Sequence, residues 1–278
     1  MKYLASIEGY PYHFWQIEIL IESFKMQNME DDLIIAVAVK DKEMTVRRNF
    51  SKHPHIFYHV NQREEVGPYF NKPYAAIAAL ENKLLVDDFV LLDPDMILIQ
   101  PMQPIKDANI VYSTDSFYTE ELLDKEGYSP KEFVDEIMLE KAMELNFNWP
   151  YPGGVYQFHH VDEEFFKRII YWGNKMKNKN DPLANRYASK AAWILTLWEF
   201  YDSYNIVPQS NECTMVDFNL FGNFIHYYHG LPPFFNKKMF PMDDRGSLFD
   251  KTPYEVMVEH NPNLTTDYVQ KVIHSMNR

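Results

Sequence analysis

The strongest constraint on the fold is a regular alternation in the first third of the chain, where short, continuously apolar runs are separated by segments of helical period. Tyr3 to Ile7 predicts a strand, His13 to Met29 a helix with Phe14, Ile17, Leu20, Ile21 and Phe24 on one stripe, and Leu33 to Val39 a second strand. A charged helix around Lys42 to Phe50, a strand at Ile56 to Val60, a helix from Pro73 to Leu85 and a strand at Phe89 to Leu92 complete a βαβαβαβ series. Strands apolar on both faces and separated by helices predict an α/β fold with a mainly parallel sheet covered on both sides.

The second half predicts a helix from Ser129, as cap, to Leu145, and a turn at Tyr151-Pro152-Gly153-Gly154 feeding a strand from Val155 to His159. Helices at Asp162 to Lys177 and Asn185 to Tyr204, a strand at Phe224 to Tyr228 and a helix from Asp267 to Met276 follow. No Gly/Ser-rich linker interrupts the 278 residues, so one domain over 1–278 is expected.

Composition excludes several classes. With 46% hydrophobic and 16% aromatic residues, the chain has the material for a core and is not a disordered segment. Cys213 is the single cysteine, so an internal disulfide framework and multi-cysteine metal sites are excluded, and a reducing compartment is expected. Its apolar runs are far shorter than the roughly 18–20 residues that span a bilayer. The opening Met1 to Gly9 reaches an acid and a glycine before a signal-peptide core could form, so a soluble cytoplasmic protein is expected.

The sharpest chemical feature is Asp93-Pro94-Asp95, set between the apolar runs Phe89 to Leu92 and Met96 to Ile99. An apolar strand there delivers two carboxylates to its carboxyl end, where open α/β sheets bind ligands. Hard oxygen donors of this kind suit Mg²⁺ or Mn²⁺ holding a diphosphate. An ordinary solvated turn is the plain alternative, since Asp and Pro are both turn residues. The string also fits the nucleophile strand of haloacid-dehalogenase-like phosphatases. That reading needs a later acidic pair on a strand, and Asp243-Asp244 follows Phe240-Pro241-Met242, a poor strand.

Further ligands can be sought among the histidines. His226 and His229 are three apart on or beside a strand, so they point to opposite faces and only one of them fits a site. A core role is the alternative for each, as for His159 and His160. Lys72, at the start of the helix before the Asp-x-Asp strand, and Lys251 near the end could each neutralise a phosphate or stand as solvated surface charge.

Taken in order, several pieces resemble the plant hydroxyproline O-arabinosyltransferases and the related peptidyl-serine galactosyltransferases. These are Glu8-Gly9-Tyr10-Pro11-Tyr12 with Trp15-Gln16, Lys72-Pro73-Tyr74-Ala75 with Leu80-Glu81, and Asp93-Pro94-Asp95 with Pro101. Ala192-Trp193-Ile194-Leu195, Ile225-His226-Tyr227 and Phe249-Asp250-Lys251 continue the series over nearly the whole chain. The resemblance implies a GT-A fold, that is, a Rossmann-like mixed, mainly parallel sheet flanked by helices, with a nucleotide-binding half at 1–102 and an acceptor and donor-sugar half at 103–278. It also implies a UDP-sugar donor and Mn²⁺ or Mg²⁺ at the Asp-x-Asp motif.

On that resemblance Asp95 is a metal ligand and catalytic centre, Asp93 touches metal or donor ribose, and His226 completes the coordination. Lys72 and Lys251 become diphosphate contacts, Ser6, Glu8 and Gly9 line the nucleoside, and Gly153 and Gly154 admit the transferred sugar. The family places an acid three residues after the tryptophan matched to Trp193, where this sequence has Thr196. Glu199, Asp115 and Asp217 therefore remain open as the catalytic carboxylate. A GT-A-shaped binding protein without turnover is the non-enzymatic alternative.

The lean form is similar to bacteriophage relatives that attach arabinose to 5-hydroxymethylcytosine in DNA, which implies UDP-arabinose as donor, DNA as acceptor and the host cytoplasm as location. A protein hydroxyl is the alternative acceptor. The formal net charge of -13 speaks against general polyanion binding, yet two segments are basic. Lys167 to Lys190 carries seven Lys and Arg, Lys175, Lys177 and Lys179 among them, against Asp181, and Lys40 to Arg63 carries six against two acids. Such segments track phosphates or form solvated helix faces.

Overall fold

The structure is a computed structural model that describes residues 1–8, 11–39, 53–60, 67–114, 121, 125–127, 152–176, 184–209, 219–220, 224–226 and 267–276. The chain runs β1 (Lys2–Glu8), α1 (Pro11–Met26), β2 (Leu33–Val39), β3 (Ile56–Val60), α2 (Asn71–Glu81), β4 (Asp88–Leu92), β5 (Met96–Leu98) and β6 (Ile110–Thr114). There follow β7 (Pro152–His159), α3 (Glu163–Met176), α4 (Ala184–Glu199), β8 (Ile206–Gln209), β9 (Asn219–Leu220), β10 (Phe224–His226) and α5 (Asp267–Ser275). The helices expected at 42–50 and 129–145 lie outside the described residues.

Seven strands form one sheet in the order β3-β2-β1-β4-β7-β6-β8. β1 pairs in parallel with β2 and β4, β2 with β3, and β6 with β8, while β7 is antiparallel to both β4 and β6. This is the expected mixed, mainly parallel sheet flanked by helices, a Rossmann-like arrangement in which strands from both halves of the chain share one sheet. β5, β10 and β9 make a second, small sheet.

Each central strand buries both faces, which explains the unbroken apolar runs. Tyr3, Ala5, Ile7, Ile35, Val37, Val90 and Leu92 face α1, where they meet Phe14, Ile17, Leu20 and Phe24. Leu4, Ile34, Ala36, Phe89 and Leu91 belong to the opposite core with Ala75, Ala79, Phe165, Phe166, Ile169 and Trp193, contributed by α2, α3 and α4. No described helix is long and apolar enough to cross a membrane.

Several boundaries differ from the sequence reading for identifiable reasons. α1 stops at Met26 because Asn28 turns left-handed at a φ of 56°, and α2 gives way to Lys83 at a φ of 57°. Residues 152–154, expected as a turn, extend β7 instead: Pro152 opens the strand, where no ladder donor is missed, and Gly153 and Gly154 are extended. β6 and β8 were not anticipated. β8 contains Pro208, which argues against a central strand, and it is tolerated because β8 is the sheet's edge.

Candidate functional site

The parallel strands β1 to β4 all end on one side of the sheet, here called the carboxyl edge. β1 brings Glu8 to it and β4 brings Asp93. α2 precedes β4 and therefore starts at the same edge, with Asn71 and Lys72 in its first turn and the positive end of its dipole there. β7 runs the other way, so its first residues arrive at this edge beside Asp93.

The contacts between these ends are specific. Lys72 Nζ lies 2.5 Å from Asp93 Oδ1, with the ammonium stem only 17% exposed. The same Nζ stands 5.5 Å from the centroid of the Tyr156 ring, which stacks on Trp193 at 4.3 Å. Asn71 Nδ2 donates to Glu8 Oε1 at 3.0 Å, and Glu8 is buried at the end of β1. His13 Nδ1 lies 3.1 Å from Glu8 O, closing the loop between β1 and α1.

Gly154 makes the approach of β7 to Asp93 feasible. The Asp93 N–H donates to Gly154 O at 3.1 Å. A Cβ on Gly154 would stand 2.6 Å from Met96 Cε and 3.2 Å from Asp93 Cγ, and would overlap an Asp93 carboxylate oxygen. Just before this point the β6–β7 register shifts between Tyr112 and Thr114, and Ser113 Oγ bridges the irregularity, accepting from Val155 N at 3.2 Å. Such shifts re-aim a strand end next to a site.

Asp95, two residues past β4, is buried at 5% exposure in the turn before β5. A carboxylate that far from water demands compensation by hydrogen bonds or positive charge. β10 pairs antiparallel with β5 so that His226 stands opposite Met96, the residue after Asp95. The backbone of β10 therefore returns His226 to the Asp-x-Asp turn over a long stretch of chain, while its side chain lies outside what is described.

The structure thus brings Glu8, Lys72, Asp93, Asp95, Gly153, Gly154 and the backbone of His226 to one edge, with Ser6 half-buried two residues before Glu8 on β1. It adds Asn71 and Tyr156, which the sequence reading did not single out; an Asn immediately before Lys72 at a helix start was the available signal. Glu199 is placed elsewhere. α4 ends on the opposite edge, just before β8 begins, and there Arg168 holds Glu199 with Nη2 at 2.6 Å and Nε at 2.9 Å while Trp172 Nε1 donates at 3.0 Å.

Lys175 is exposed in the last turn of α3, its Nζ 4.5 Å from the Tyr171 ring centroid. α3 starts at the amino edge after β7, so this last turn points back toward the carboxyl edge. Gly9, Asp115, Lys177, Lys179, Asp217 and Lys251 lie outside the described residues, as do His229, Asp243 and Asp244.

The fold defines an α/β protein with charged side chains gathered at its carboxyl edge. No protein-family model and no curated protein matches the chain. Among solved structures, the galactosyltransferase LgtC in complex with donor and acceptor sugar analogs is 13% identical, with a TM-score of 0.42 over 78% of this chain and 75% of that one. Glucosyl-3-phosphoglycerate synthase from Mycobacterium tuberculosis in complex with Mg²⁺ and UDP is 13% identical, with a TM-score of 0.40 over 75% of this chain and 69% of that one. A glycosyltransferase involved in the glycosylation of the major capsid of PBCV-1 is 10% identical, with a TM-score of 0.40 over 76% and 82% of the two chains. Likeness at this level carries no activity over to the present chain.

Proposed function

We propose that this chain is a metal-dependent glycosyltransferase of GT-A form that takes a UDP-sugar and transfers its sugar to a hydroxyl. The observation that carries the reading is the convergence of Lys72, Asp93, Asp95 and Gly154 at the carboxyl edge of a Rossmann-like sheet. Residues 1–102 supply the nucleotide-binding half and 103–278 the half that meets sugar and acceptor.

The donor set fits Mn²⁺ or Mg²⁺. Asp93 and Asp95 offer hard oxygens one residue apart, and Gly154 lets the Asp93 carboxylate pack where any side chain on β7 would collide with it. Among the described residues no three His, Cys, Asp or Glu side chains form a closed cage. His226 and the substrate diphosphate would then complete the ligand set. A cation held there supplies positive charge to a departing diphosphate.

The remaining work falls to the chain. Lys72, and Lys251 from the late segment, neutralise the diphosphate as the anomeric C–O bond breaks and UDP leaves. Ser6, Glu8 and Gly9 line the nucleoside, with Asn71 fixing Glu8. Gly153 and Gly154 admit the sugar. The acceptor oxygen forms the new bond to the anomeric carbon, and its proton passes to a carboxylate, for which Asp95 stands at this edge, Asp115 and Asp217 stay candidates from the sequence, and Glu199 is not favoured by its position.

The sugar proposed is arabinose and the acceptor 5-hydroxymethylcytosine in phage DNA, with Lys175, Lys177 and Lys179 supporting the duplex backbone. The exposed Lys175 on the end of α3 nearest the carboxyl edge supports that choice. The test offers hydroxymethylcytosine DNA, a hydroxyproline peptide and a serine peptide with UDP-arabinose and other UDP-sugars in Mn²⁺. The expected result is transfer to the DNA, falling steeply with salt and abolished in Asp95→Ala. Transfer to a peptide instead moves the acceptor to protein. Hydrolysis of simple phosphate esters without any sugar transfer overturns the whole reading in favour of a phosphatase.

A further inference from the structure

At the amino edge of the sheet, where β4 begins and β7 ends, two consecutive acids face two consecutive histidines. Asp88 and His159 are cross-strand partners, and His159 Nδ1 is hydrogen-bonded to Asp88 Oδ1. His160 Nδ1 lies 3.3 Å from Asp87 Oδ1, and its backbone N–H donates to Asp87 O at 2.8 Å. Asn109 pins the same corner from β6's side, donating from Nδ2 to His159 O at 3.1 Å and accepting from His159 N at 2.8 Å.

Neighbouring side chains on a strand point to opposite faces. His160 escapes that rule because its φ is 52°, a left-handed conformation that a residue with a Cβ rarely adopts. The turn swings its ring back beside His159, with centroids 4.1 Å apart and planes inclined by 50°. A carboxylate engages Nδ1 of each ring, so Nε2 is the nitrogen left for a ligand. Among the described residues neither Nε2 makes a hydrogen bond, and the two rings are open to solvent, His160 at 59% and His159 at 24% side-chain exposure.

We propose that His159 and His160 form a second cation site, a two-imidazole site for a borderline divalent transition ion of the Zn²⁺, Ni²⁺ or Cu²⁺ class, completed by water. A carboxylate behind each ring is the arrangement that orients metal-bound histidines and raises their basicity. Asp87 and Asp88 act through the rings rather than on the ion, in keeping with the lack of any three-ligand group among the described residues. Imidazole nitrogen selects these ions over the Mg²⁺ and Mn²⁺ preferred by the carboxylates of the Asp-x-Asp turn. The two sites lie at opposite ends of β4.

The test titrates the full chain with Cu²⁺ and with Zn²⁺ in the absence of nucleotide, reading Cu²⁺ by electron paramagnetic resonance and Zn²⁺ by calorimetry. Expected in Asp95→Asn protein, where the Asp-x-Asp turn is weakened as a competing site, are one equivalent of Cu²⁺ with a two-nitrogen superhyperfine pattern and Zn²⁺ affinity in the micromolar range. His160→Asn keeps a residue that tolerates the left-handed backbone and should lose one nitrogen and at least tenfold in affinity. Asp88→Asn should keep both nitrogens and bind about 10–100-fold more weakly. Asp95→Asn should leave the two-nitrogen Cu²⁺ signal in place. The site is refuted if wild-type protein binds neither ion below millimolar concentration, if His160→Asn binds Cu²⁺ with the parent pattern and affinity, or if Asp95→Asn removes the two-nitrogen signal.

Discussion

Lys72 Nζ and Asp93 Oδ1 meet at 2.5 Å, joining the first turn of α2 to the residue that follows β4. The pair is mostly shielded, and the Tyr156 ring beside the ammonium limits where water can reach it. An ammonium on a flexible stem can stay near Asp93 while turning to a phosphate oxygen. Lys72→Met keeps the stem and removes the charge, leaving Asp93 without this partner. UDP affinity measured by calorimetry in Mn²⁺ should fall at least tenfold, with a stability loss of about 1–3 kcal/mol in urea titrations. Parent UDP affinity in a folded Lys72→Met protein would leave the pair a purely structural link.

Gly154 should tolerate no side chain. The Cβ of Gly154→Ala would collide with the Asp93 carboxylate and the Met96 methyl, and relief requires β7 to draw away from β4 or Asp93 to turn out of the site. Overpacking of this kind costs about 1–3 kcal/mol. Metal-dependent UDP binding should drop more than tenfold, while circular dichroism shows an unchanged helix and strand content. A Gly154→Ala protein that binds UDP and Mn²⁺ as the parent does would show that Asp93 is free to move.

What the sequence disclosed and what it hid divide along the range of the contacts. β2 and β3 are recovered at their observed limits because β2 is a continuous apolar run and β3 a short run of β-branched and aromatic residues, and both signals are local. The Asp-x-Asp turn was equally legible, since its position follows from the strand before it. The closure of the site was not. That Gly154 abuts Asp93 depends on β7 pairing antiparallel with β4 across some sixty residues of chain, and the sequence reads 151–154 as a turn. Glu8 was named without the Asn71 that fixes it, because nothing local links residues 63 apart in sequence. Glu199 looked equivalent to a missing acid near Trp193, yet α4 carries it down to the other edge of the sheet.

His53 makes stability depend on pH. Burial pushes its imidazole below the ordinary value of 6.5, only partly opposed by the bond to Leu33 O at 2.7 Å and the neighbouring Glu30. In the unfolded chain the ring takes up a proton near its ordinary pKa, so the unfolded state binds more protons between there and the lower folded value. The stability from neutral His53 is complete above about pH 6.5 and declines as pH falls through that window. Urea midpoints should therefore drop between pH 7 and 5. His53→Gln, which retains a donor for Leu33 O, should flatten that part of the profile; an unchanged slope would assign the dependence to other groups.

Glu199 is expected to hold helices together rather than take a proton from an acceptor. Its two oxygens accept from Arg168 Nη2 at 2.6 Å and Nε at 2.9 Å, and Trp172 Nε1 adds a third donor at 3.0 Å, so α3 and α4 are clamped near the amino edge. Arg168 in turn lies over the Tyr171 ring at 4.1 Å. Glu199→Gln keeps the shape and one carbonyl acceptor but loses the charge that makes the paired bond strong. The side chains are more than a quarter exposed, so the cost should be about 1 kcal/mol. Sugar transfer at 25 °C should keep the parent rate and pH profile, with the melting temperature lowered by a few degrees. A folded Glu199→Gln protein whose rate falls by a hundredfold or more at unchanged donor affinity would instead make Glu199 the missing base and require the two edges to be joined by a movement of α4.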